Sequence, residues 1–353
     1  MASGKFSLNQ AGGSTKSYRQ LFISTAPVTS EDILIDVVDP NLAVFSDANW
    51  YWTSSTYGNR LSFDRTFVNT YLNIDGTPFT SIPGHETMTF PVETQNRDGR
   101  LQQTIRTPGY TRIDGGSVIP APPDFTYTFT GYMPIKYSLD DTKYDQATVS
   151  VNSVPVIRYA EMLLNYAEAK EELGTFTDQD WANTIGALRA RAGITGGLTT
   201  KPTTADPYLQ ANYFPNISDP TLLEIRRERS IELAWEGFRF DDLMRWEKGE
   251  LLEQPWTGMY VPSLNTPMDL NNDGKNDVVF VQTTTSIPGV KSINVAPMIG
   301  GKVNPQQLTN GTYGELTWLK DEPREWTDKK YYYPIPQTAL LKNQRLGQNP
   351  GWN

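Results

Sequence analysis

The sequence of 353 residues has no cysteine and a single histidine, His85. Without cysteine there is no disulfide, no thiolate nucleophile and no cysteine-ligated metal. Any Ser-His-Asp triad or histidine-ligated zinc site would have to use His85. His85 lies in the turn-like segment Pro83-Gly84-His85-Glu86, where a lone histidine is more often a surface residue than a catalyst. These absences argue against the common cysteine and histidine enzymes.

The sequence also lacks long apolar runs and an excess of positive charge. No stretch of about 18 apolar residues occurs, so no membrane-spanning helix is predicted. The start of the chain has no apolar signal-peptide core, and an export signal would have to lie upstream. Acidic residues outnumber basic ones by 40 to 31, for a formal net charge of -9. Because nucleic-acid backbones require a clustered basic surface, we expect no nucleic-acid partner.

The chain divides by composition into three stretches of one region, 1–353. Residues 1–150 are rich in turn formers and predict loops and short strands, among them a buried strand at Ile33–Val38 and an alternating one at Phe125–Phe129. Residues 151–250 predict two antiparallel helical hairpins, whose four helices are Val156–Leu173, Thr177–Ala192, Thr221–Trp235 and Phe240–Lys248. Residues 251–353 predict loops and an aromatic, proline-rich tail, which we expect to be packed down because an exposed tail would form an apolar patch.

The third predicted helix carries a stripe of like charge. Glu228, Glu232 and Glu236 follow one another at a spacing of four residues, so they share a face and repel each other unless cations oppose them. Arginines on the neighbouring helices could supply these cations, namely Arg158, Arg189 and Arg191. The stripe suits either a catalytic carboxylate group or an ion network between helices, and the network is favoured because buried paired charges usually serve structure.

A second motif has the spacing of a calcium-binding loop. Oxygen-bearing side chains occupy positions 1, 3, 5 and 9 of this segment, and glycine occupies position 6. The predicted Ca²⁺ ligands are Asp269, Asn271, Asp273, Asp277 and the carbonyl of Lys275. Position 12 is Phe280, so the bidentate glutamate of an EF-hand is missing. The alternative is a polar turn around Gly274 that binds nothing.

Aromatic residues cluster near residue 50. Trp50, Trp52 and Tyr57 lie close to Asn49 and Arg60, and this combination of flat rings, an amide and a guanidinium suits sugar binding. We take these five residues as candidate glycan contacts. The alternative is structural, with Tyr51 in the core and the two tryptophans packed beneath a loop.

Several segments, in order along the chain, resemble the SusD/RagB family. The resemblance runs from about residue 5 to residue 353. Its motifs are Val68–Tyr71 with Asp75–Pro78, Arg158–Ala169, Ala187–Gly193, Ile225–Trp246, and Tyr333–Gln337 followed by Gln348–Trp352.

The resemblance implies a mainly α fold, in which tetratricopeptide-like helical hairpins form an α-superhelix beside a large irregular face of loops and short strands. It implies a non-catalytic, surface-exposed lipoprotein of the Bacteroidetes outer membrane, which binds glycan and delivers it to a SusC-type TonB-dependent transporter. Family members are longer and carry a lipidated cysteine, so this chain is similar to their C-terminal part and its anchor would lie upstream. The alternatives are a secreted glycoside hydrolase and a helical-repeat scaffold that binds a protein partner.

Overall fold

Short helices, small sheets and long irregular connections make up the fold. The computed structural model describes residues 4–53, 60–283 and 287–352. Its α-helices are α1 Ser17–Ile23, α2 Ala48–Thr53, α3 Arg65–Val68, α4 Phe90–Glu93, α5 Leu101–Thr104, α6 Tyr159–Glu172, α7 Asp178–Asn183, α8 Ile185–Arg191, α9 Pro207–Asn212, α10 Pro220–Glu232, α11 Phe238–Arg245 and α12 Gln337–Lys342.

The strands are short and belong to separate small sheets. They are β1 Asp32–Asp36, β2 Thr111–Asp114, β3 Ser117–Pro120, β4 Val154–Arg158, β5 Trp256–Val261, β6 Val278–Val281, β7 Lys291–Asn294, β8 Met298–Ile299, β9 Lys302–Val303, β10 Gln306–Leu308 and β11 Gly314–Trp318. Strand β11 lies between β10 and β5 in an antiparallel sheet, β1 pairs with β4, β2 with β3 and β8 with β9, and β6 and β7 run parallel.

The predicted helices of residues 151–250 are present, but their ends differ. Residues 154–158 are rich in β-branched side chains and form β4, so α6 begins only at Tyr159. Thr177 caps α7 through a reciprocal pair of bonds with Asp180, as its spacing predicts. The next helix begins after a break at Thr184, whose φ and ψ are -122° and -89°. Close packing accompanies the break, because a Cβ on Gly186 would lie 1.9 Å from the Leu198 carbonyl oxygen.

Helices α6, α8 and α10 pack together through a buried apolar core. Leu163 and Leu164 of α6, Leu188 of α8, and Leu223 and Ile231 of α10 are all at most 1% exposed. Burial of such side chains supplies the main favourable free energy of folding, roughly 1.5–3 kcal/mol for each. This packing forms the helical core of residues 159–232.

Two strand predictions for residues 1–150 are wrong in detail. The strand near Ile33 exists as β1, but Ile33 and Leu34 are 39% and 52% exposed rather than buried. Phe125–Phe129 form no strand. There the Asp124 side chain accepts a hydrogen bond from the Thr126 N–H at 2.8 Å, which bends the backbone into a turn.

The chain forms two compact units. The first comprises the chain up to Glu232 together with Trp256–Leu319, and the second comprises Leu233–Pro255 and the chain from Lys320 onward. In the second unit, hydrogen bonds within the tail hold it together. The Gln348 side chain accepts the Ile335 N–H at 2.7 Å and donates to the Ile335 carbonyl at 2.9 Å. The expected packing of the tail is nevertheless wrong for Tyr333 and Leu341, which are 82% and 71% exposed.

No helix within the described residues is both long and apolar enough to cross a bilayer.

Candidate functional site

A buried ion network lies at the centre of the first unit. Glu228 and Glu232 of α10 are both fully buried. Nη1 of Arg100 lies 2.5 Å from Glu228 Oε1 and 2.9 Å from Glu232 Oε2. Nη1 of Arg158 lies 2.6 Å from Glu232 Oε1, which also accepts a bond from Arg191. The two glutamates are therefore paired with arginines, as their spacing predicts.

All three predicted cations belong to this network, but the third glutamate does not follow the prediction. Arg189 completes the cation set, with its Nε 3.0 Å from Glu228 Oε2. Glu236 is only half-buried and lies four residues beyond the end of α10. The helix stops at Glu232 and the chain turns through Trp235, whose φ is +64°. Glu236 therefore does not extend the stripe.

Four members of the network were not predicted. Asp98 binds Arg100 at 2.6 Å, Glu31 binds Arg158 at 2.9 Å, and Glu224 of α10 binds Arg189. Arg100 itself is the fourth unpredicted member. Glu224 could have been found, because it precedes Glu228 at the same spacing of four; the rest lie in distant, irregular segments without a local pattern.

Burial and pairing have opposite effects on these charges. Burial alone would raise the pKa of Glu232, but Arg191, Arg158 and Arg100 hold it well below its usual range. Burial would likewise lower the pKa of Arg100, but Asp98 and the two glutamates raise it well above its usual value. The network is a structural support rather than a reactive centre, because its charges are neutralised by partners.

The predicted aromatic cluster has a different arrangement from the one expected. Trp50, Tyr51 and Trp52 lie on the short helix α2 rather than in a loop. Tyr51 is 42% exposed, whereas both tryptophans are half-buried. The Trp52 ring is parallel to the buried Tyr137 ring, with their centroids 6.5 Å apart. The alternative that places Tyr51 in the core is thus wrong.

Asn49 is unsuited to the predicted role of sugar contact. Its side chain is fully buried. Its Oδ1 accepts the Leu139 N–H at 2.6 Å, and its Nδ2 donates to the Leu139 carbonyl at 2.9 Å and to Asp145 at 3.1 Å. The amide fastens α2 to a neighbouring loop. Tyr57, the remaining ring of the predicted cluster, lies outside the described residues.

Arg60 is half-buried and contributes to a second aromatic group instead. Its guanidinium lies 5.0 Å from the centroid of the Phe129 ring, a cation–π contact. Phe129 in turn stacks on Trp318, with centroids 3.5 Å apart and planes inclined by 20°. Trp318 belongs to the sheet of β10, β11 and β5, so Arg60 is connected to this sheet through Phe129.

The sheet brings three large side chains into one row. Trp318 on β11 is the register partner of Gln306 on β10 and of Trp256 on β5. Directly opposed residues of antiparallel strands project from the same face. Gln306 also donates through Nε2 to the Phe129 carbonyl at 2.8 Å. We name the group of Arg60, Phe129, Trp256, Gln306 and Trp318 the aromatic platform.

The platform is accessible. Trp256 is 43% exposed and its other members are half-buried. A partly exposed indole beside an amide and a guanidinium offers a flat apolar face with polar groups at its edge. Such a surface is suited in shape and chemistry to a ligand that is apolar on one face and rich in hydroxyl groups around its rim. Sequence reasoning missed it, apart from Arg60, because its five members come from five separate segments.

A larger cleft of about 750 Å³ lies beside α1, lined by residues such as Lys16, Arg19, Tyr110 and Asp140. Arg19 and Tyr110 both bind Asp140, at 2.6 and 2.7 Å. The guanidinium carbons of Arg19 and Arg106 lie 5.5 and 5.7 Å from the centroid of the Tyr110 ring. Because these groups already bind one another, the cleft is less suited to ring stacking than the platform.

His85 is packed rather than displayed at the surface. Its side chain is 14% exposed, Nδ1 lies 3.0 Å from the Ile82 carbonyl, and the ring meets Phe79 edge-on.

The predicted calcium loop is folded around its first residue. Asp269 accepts the N–H groups of Asn272 and Gly274, at 2.7 and 2.8 Å. Asp277 Oδ2 accepts the Leu270 N–H at 2.7 Å. Burial raises the pKa of Asp277 against the effect of the Leu270 hydrogen bond, and the charges of Asp269 and Asp273 act in the same direction as burial.

These loop bonds shape the turn without establishing a metal site. Within residues 4–53, 60–283 and 287–352, no group of three or more acidic or histidine side chains is arranged as around a metal ion. Asn271, Asp273 and Lys275 bond chiefly within the loop, with Lys275 N–H donating to Asp273 Oδ1 at 2.9 Å. Calcium binding stays a prediction.

Residues 38–352 match the family model described as SusD family. The chain belongs to the SusD family. A search of curated protein sequences gave no match.

Solved structures show the same fold. A SusD-like protein from Bacteroides fragilis superposes with a TM-score of 0.60 at 19% identity, covering 98% of this chain and 58% of its own. A SusD-like carbohydrate binding protein from the same species gives 0.57 at 22% identity, covering 96% and 57%. This likeness confirms the predicted mainly α fold with an irregular face. The chain spans less than three-fifths of the length of each of these two relatives.

Proposed function

We propose that the protein binds oligosaccharide on the aromatic platform and passes it, chemically unchanged, to a SusC-type TonB-dependent transporter. The row of Gln306, Trp318 and Trp256 carries the proposal. Pyranose rings have an apolar face that packs on indole and a rim of hydroxyls that hydrogen-bond to amides and guanidinium groups. A fold relative described as a SusD-like carbohydrate binding protein supports the same ligand class.

Membership of the SusD family supports a place of action at the cell surface. We propose that the whole protein is held at the cell surface on the outer membrane by a lipid attached upstream of this chain. Loops mounted on a rigid helical core are the usual location of binding residues, and the platform belongs to loops and strands outside the α6–α8–α10 core. A binder of this kind needs exposed rings and hydrogen-bonding groups rather than an acid–base pair.

Glu315, which precedes Trp318 by three residues on β11, is held in an ion pair, and this supports binding rather than hydrolysis at that carboxylate. Glycoside hydrolysis needs two carboxyl groups roughly 5–10 Å apart in the substrate cleft. Glu315 of β11 is partly exposed and bonds Arg65 at 3.2 Å, and Arg65 also bonds the fully buried Glu93 at 3.3 Å. This arginine therefore holds both carboxylates in ion pairs.

Affinity electrophoresis of the purified chain in gels containing soluble polysaccharides tests the proposal. The variant Trp256→Ala removes the most exposed ring of the platform, and Trp50→Ala is the matched control at the other aromatic cluster. We expect retardation by at least one polysaccharide, lost in Trp256→Ala and kept in Trp50→Ala, with both variants retaining the circular dichroism of the parent.

Retardation that survives in Trp256→Ala, or is lost only in Trp50→Ala, would contradict the assignment of the platform. Release of reducing sugar from the retarded polysaccharide would contradict the non-catalytic role and favour the hydrolase.

A further inference from the structure

A cavity of about 310 Å³ lies in the first unit, between α7, α8, α10 and the loop that leads into α9. Buried side chains form most of its polar wall: Arg189, Asp206, Glu224 and Arg227 are each at most 7% exposed. The volume is at the lower end of the range for ligand pockets, roughly 300–1,000 Å³. It suits a molecule no larger than one sugar ring.

The carboxylates in the wall are already engaged. Asp206 Oδ1 accepts the Tyr208 N–H at 2.7 Å and Oδ2 accepts from Arg227. Glu224 Oε1 accepts from Arg227 at 2.7 Å and Oε2 accepts from Arg189. Each oxygen therefore has one donor, and a carboxylate oxygen can accept a second hydrogen bond from a hydroxyl.

The two arginines do not use all of their N–H donors on the carboxylates of the wall. Arg227 uses both Nη atoms, while its buried Nε–H has no acceptor among the described residues. Arg189 uses Nε and Nη2 on glutamates, and its Nη1 lies 3.7 Å from the point that a Cβ on Gly197 would occupy. A buried donor left without an acceptor is unfavourable. A ligand oxygen that reaches Arg227 Nε would satisfy this donor.

The charges of the wall select against ions. Two guanidinium groups and two carboxylates face the same small volume, so an anion would meet Asp206 and Glu224, and a cation would meet Arg189 and Arg227. Burial raises the pKa of Glu224, and burial followed by the charge of Arg189 lowers the pKa of Arg227 to about 9. An environment that disfavours charge suits a neutral ligand.

We propose that this cavity binds one neutral polyhydroxylated molecule of the size of a single sugar ring. A hydroxyl group is both donor and acceptor, so it can accept from Arg227 Nε while donating to a carboxylate oxygen that already has one bond. Thr200 and Thr204, two exposed residues, also line the cavity. The cavity shares no residue with the aromatic platform. The two sites can therefore be tested independently.

Isothermal titration of the whole chain with glucose, galactose, myo-inositol and, as ionic probes, acetate and ethylammonium tests the proposal. Ala205→Trp fills the cavity, because half-buried Ala205 lines it; Thr203→Trp is the matched control, because Thr203 is exposed and outside the wall. We expect one neutral probe to bind, Ala205→Trp to weaken it at least about tenfold, and Thr203→Trp and Trp256→Ala to leave it unchanged.

A second readout is made on the parent chain and uses a cavity variant only to assign the resonance. The Trp181 indole N–H donates to the Gly197 carbonyl at 2.9 Å in the cavity wall. The bound probe should shift this indole resonance saturably in a proton–nitrogen NMR spectrum, assigned by its loss in Trp181→Phe.

The proposal is overturned if no neutral probe binds, if Ala205→Trp binds as well as the parent, if only acetate or ethylammonium binds, or if the Trp181 resonance does not move. Loss of probe binding in Trp256→Ala would also overturn it, since that would place the probe on the platform. Polysaccharide retardation is scored separately, so either proposal can fail while the other stands.

Discussion

Arg158 holds Glu232 at two points. Its Nη1 donates to the Glu232 carboxylate at 2.6 Å, and its Nη2 donates to the carbonyl oxygen of the same residue at 2.7 Å. The Tyr18 hydroxyl donates to that carbonyl at 2.6 Å. A helix leaves its last carbonyls without partners, so these donors satisfy the end of α10 at Glu232 while the arginine neutralises the side chain.

Replacing Glu232 with alanine should lower the free energy of unfolding by about 3–5 kcal/mol, because it leaves Arg158 and Arg191 buried with fewer partners. Chemical denaturation followed by circular dichroism measures the change. Glu172→Ala is the control, since that carboxylate is 56% exposed and 3.7 Å from Arg226, and it should cost less than about 1 kcal/mol. Equal stability of Glu232→Ala and the parent would show that the network contributes nothing.

Acid should remove the contribution of Glu232. Its folded pKa is depressed by Arg191, Arg158 and Arg100 against the effect of burial, so its stabilisation is present above the ordinary glutamate pKa of about 4.3 and is lost as the pH falls toward the folded pKa. The stability difference between the parent and Glu232→Gln should therefore be smaller at about pH 3 than at about pH 7. An unchanged difference contradicts this origin.

Local spacing predicted the part of the network that lies on one helix. Glu228 and Glu232 could be placed together because helical periodicity brings residues four apart onto one face. The end of α10 could not be read from the sequence, because it depends on Tyr18 and Arg158, which are far away along the chain. Arg100 was missed for the same reason.

The aromatic platform depends even more on contacts between residues that are far apart in the sequence. A cluster within a few residues, such as Trp50 and Trp52, is visible in the sequence, whereas the row of Gln306, Trp318 and Trp256 exists only once β11 has paired with both neighbours. Strand register is set by turns and by the core rather than by a local motif. The family motifs predicted the fold, but they did not locate the site.

Calcium should stabilise the protein if the Asp269 loop binds it. Hydrogen bonds from backbone N–H groups already hold the Asp269 carboxylate in the loop. A ligand that binds only the folded state raises the free energy of unfolding by about 2.7 kcal/mol when its free concentration is a hundred times Kd. Thermal unfolding with calcium and with chelator measures the gain, which Asp273→Ala should abolish. If chelator leaves both melting temperatures unchanged, the segment is only a turn.

The Asn49 side chain on α2 should support the fold without contacting a ligand. Asn49→Ala should destabilise the protein by about 1–3 kcal/mol, because it removes the fully buried amide that accepts from the Leu139 N–H and donates to the Leu139 carbonyl. Polysaccharide retardation of the folded variant should be that of the parent, since the amide is fully buried and lies outside the platform. Asn41→Ala is the matched control: Asn41 is exposed, and its loss should change stability by less than about 0.5 kcal/mol. Denaturation curves and affinity gels on the same preparations give both quantities. A stable Asn49→Ala protein with weakened retardation would instead restore Asn49 as a sugar contact.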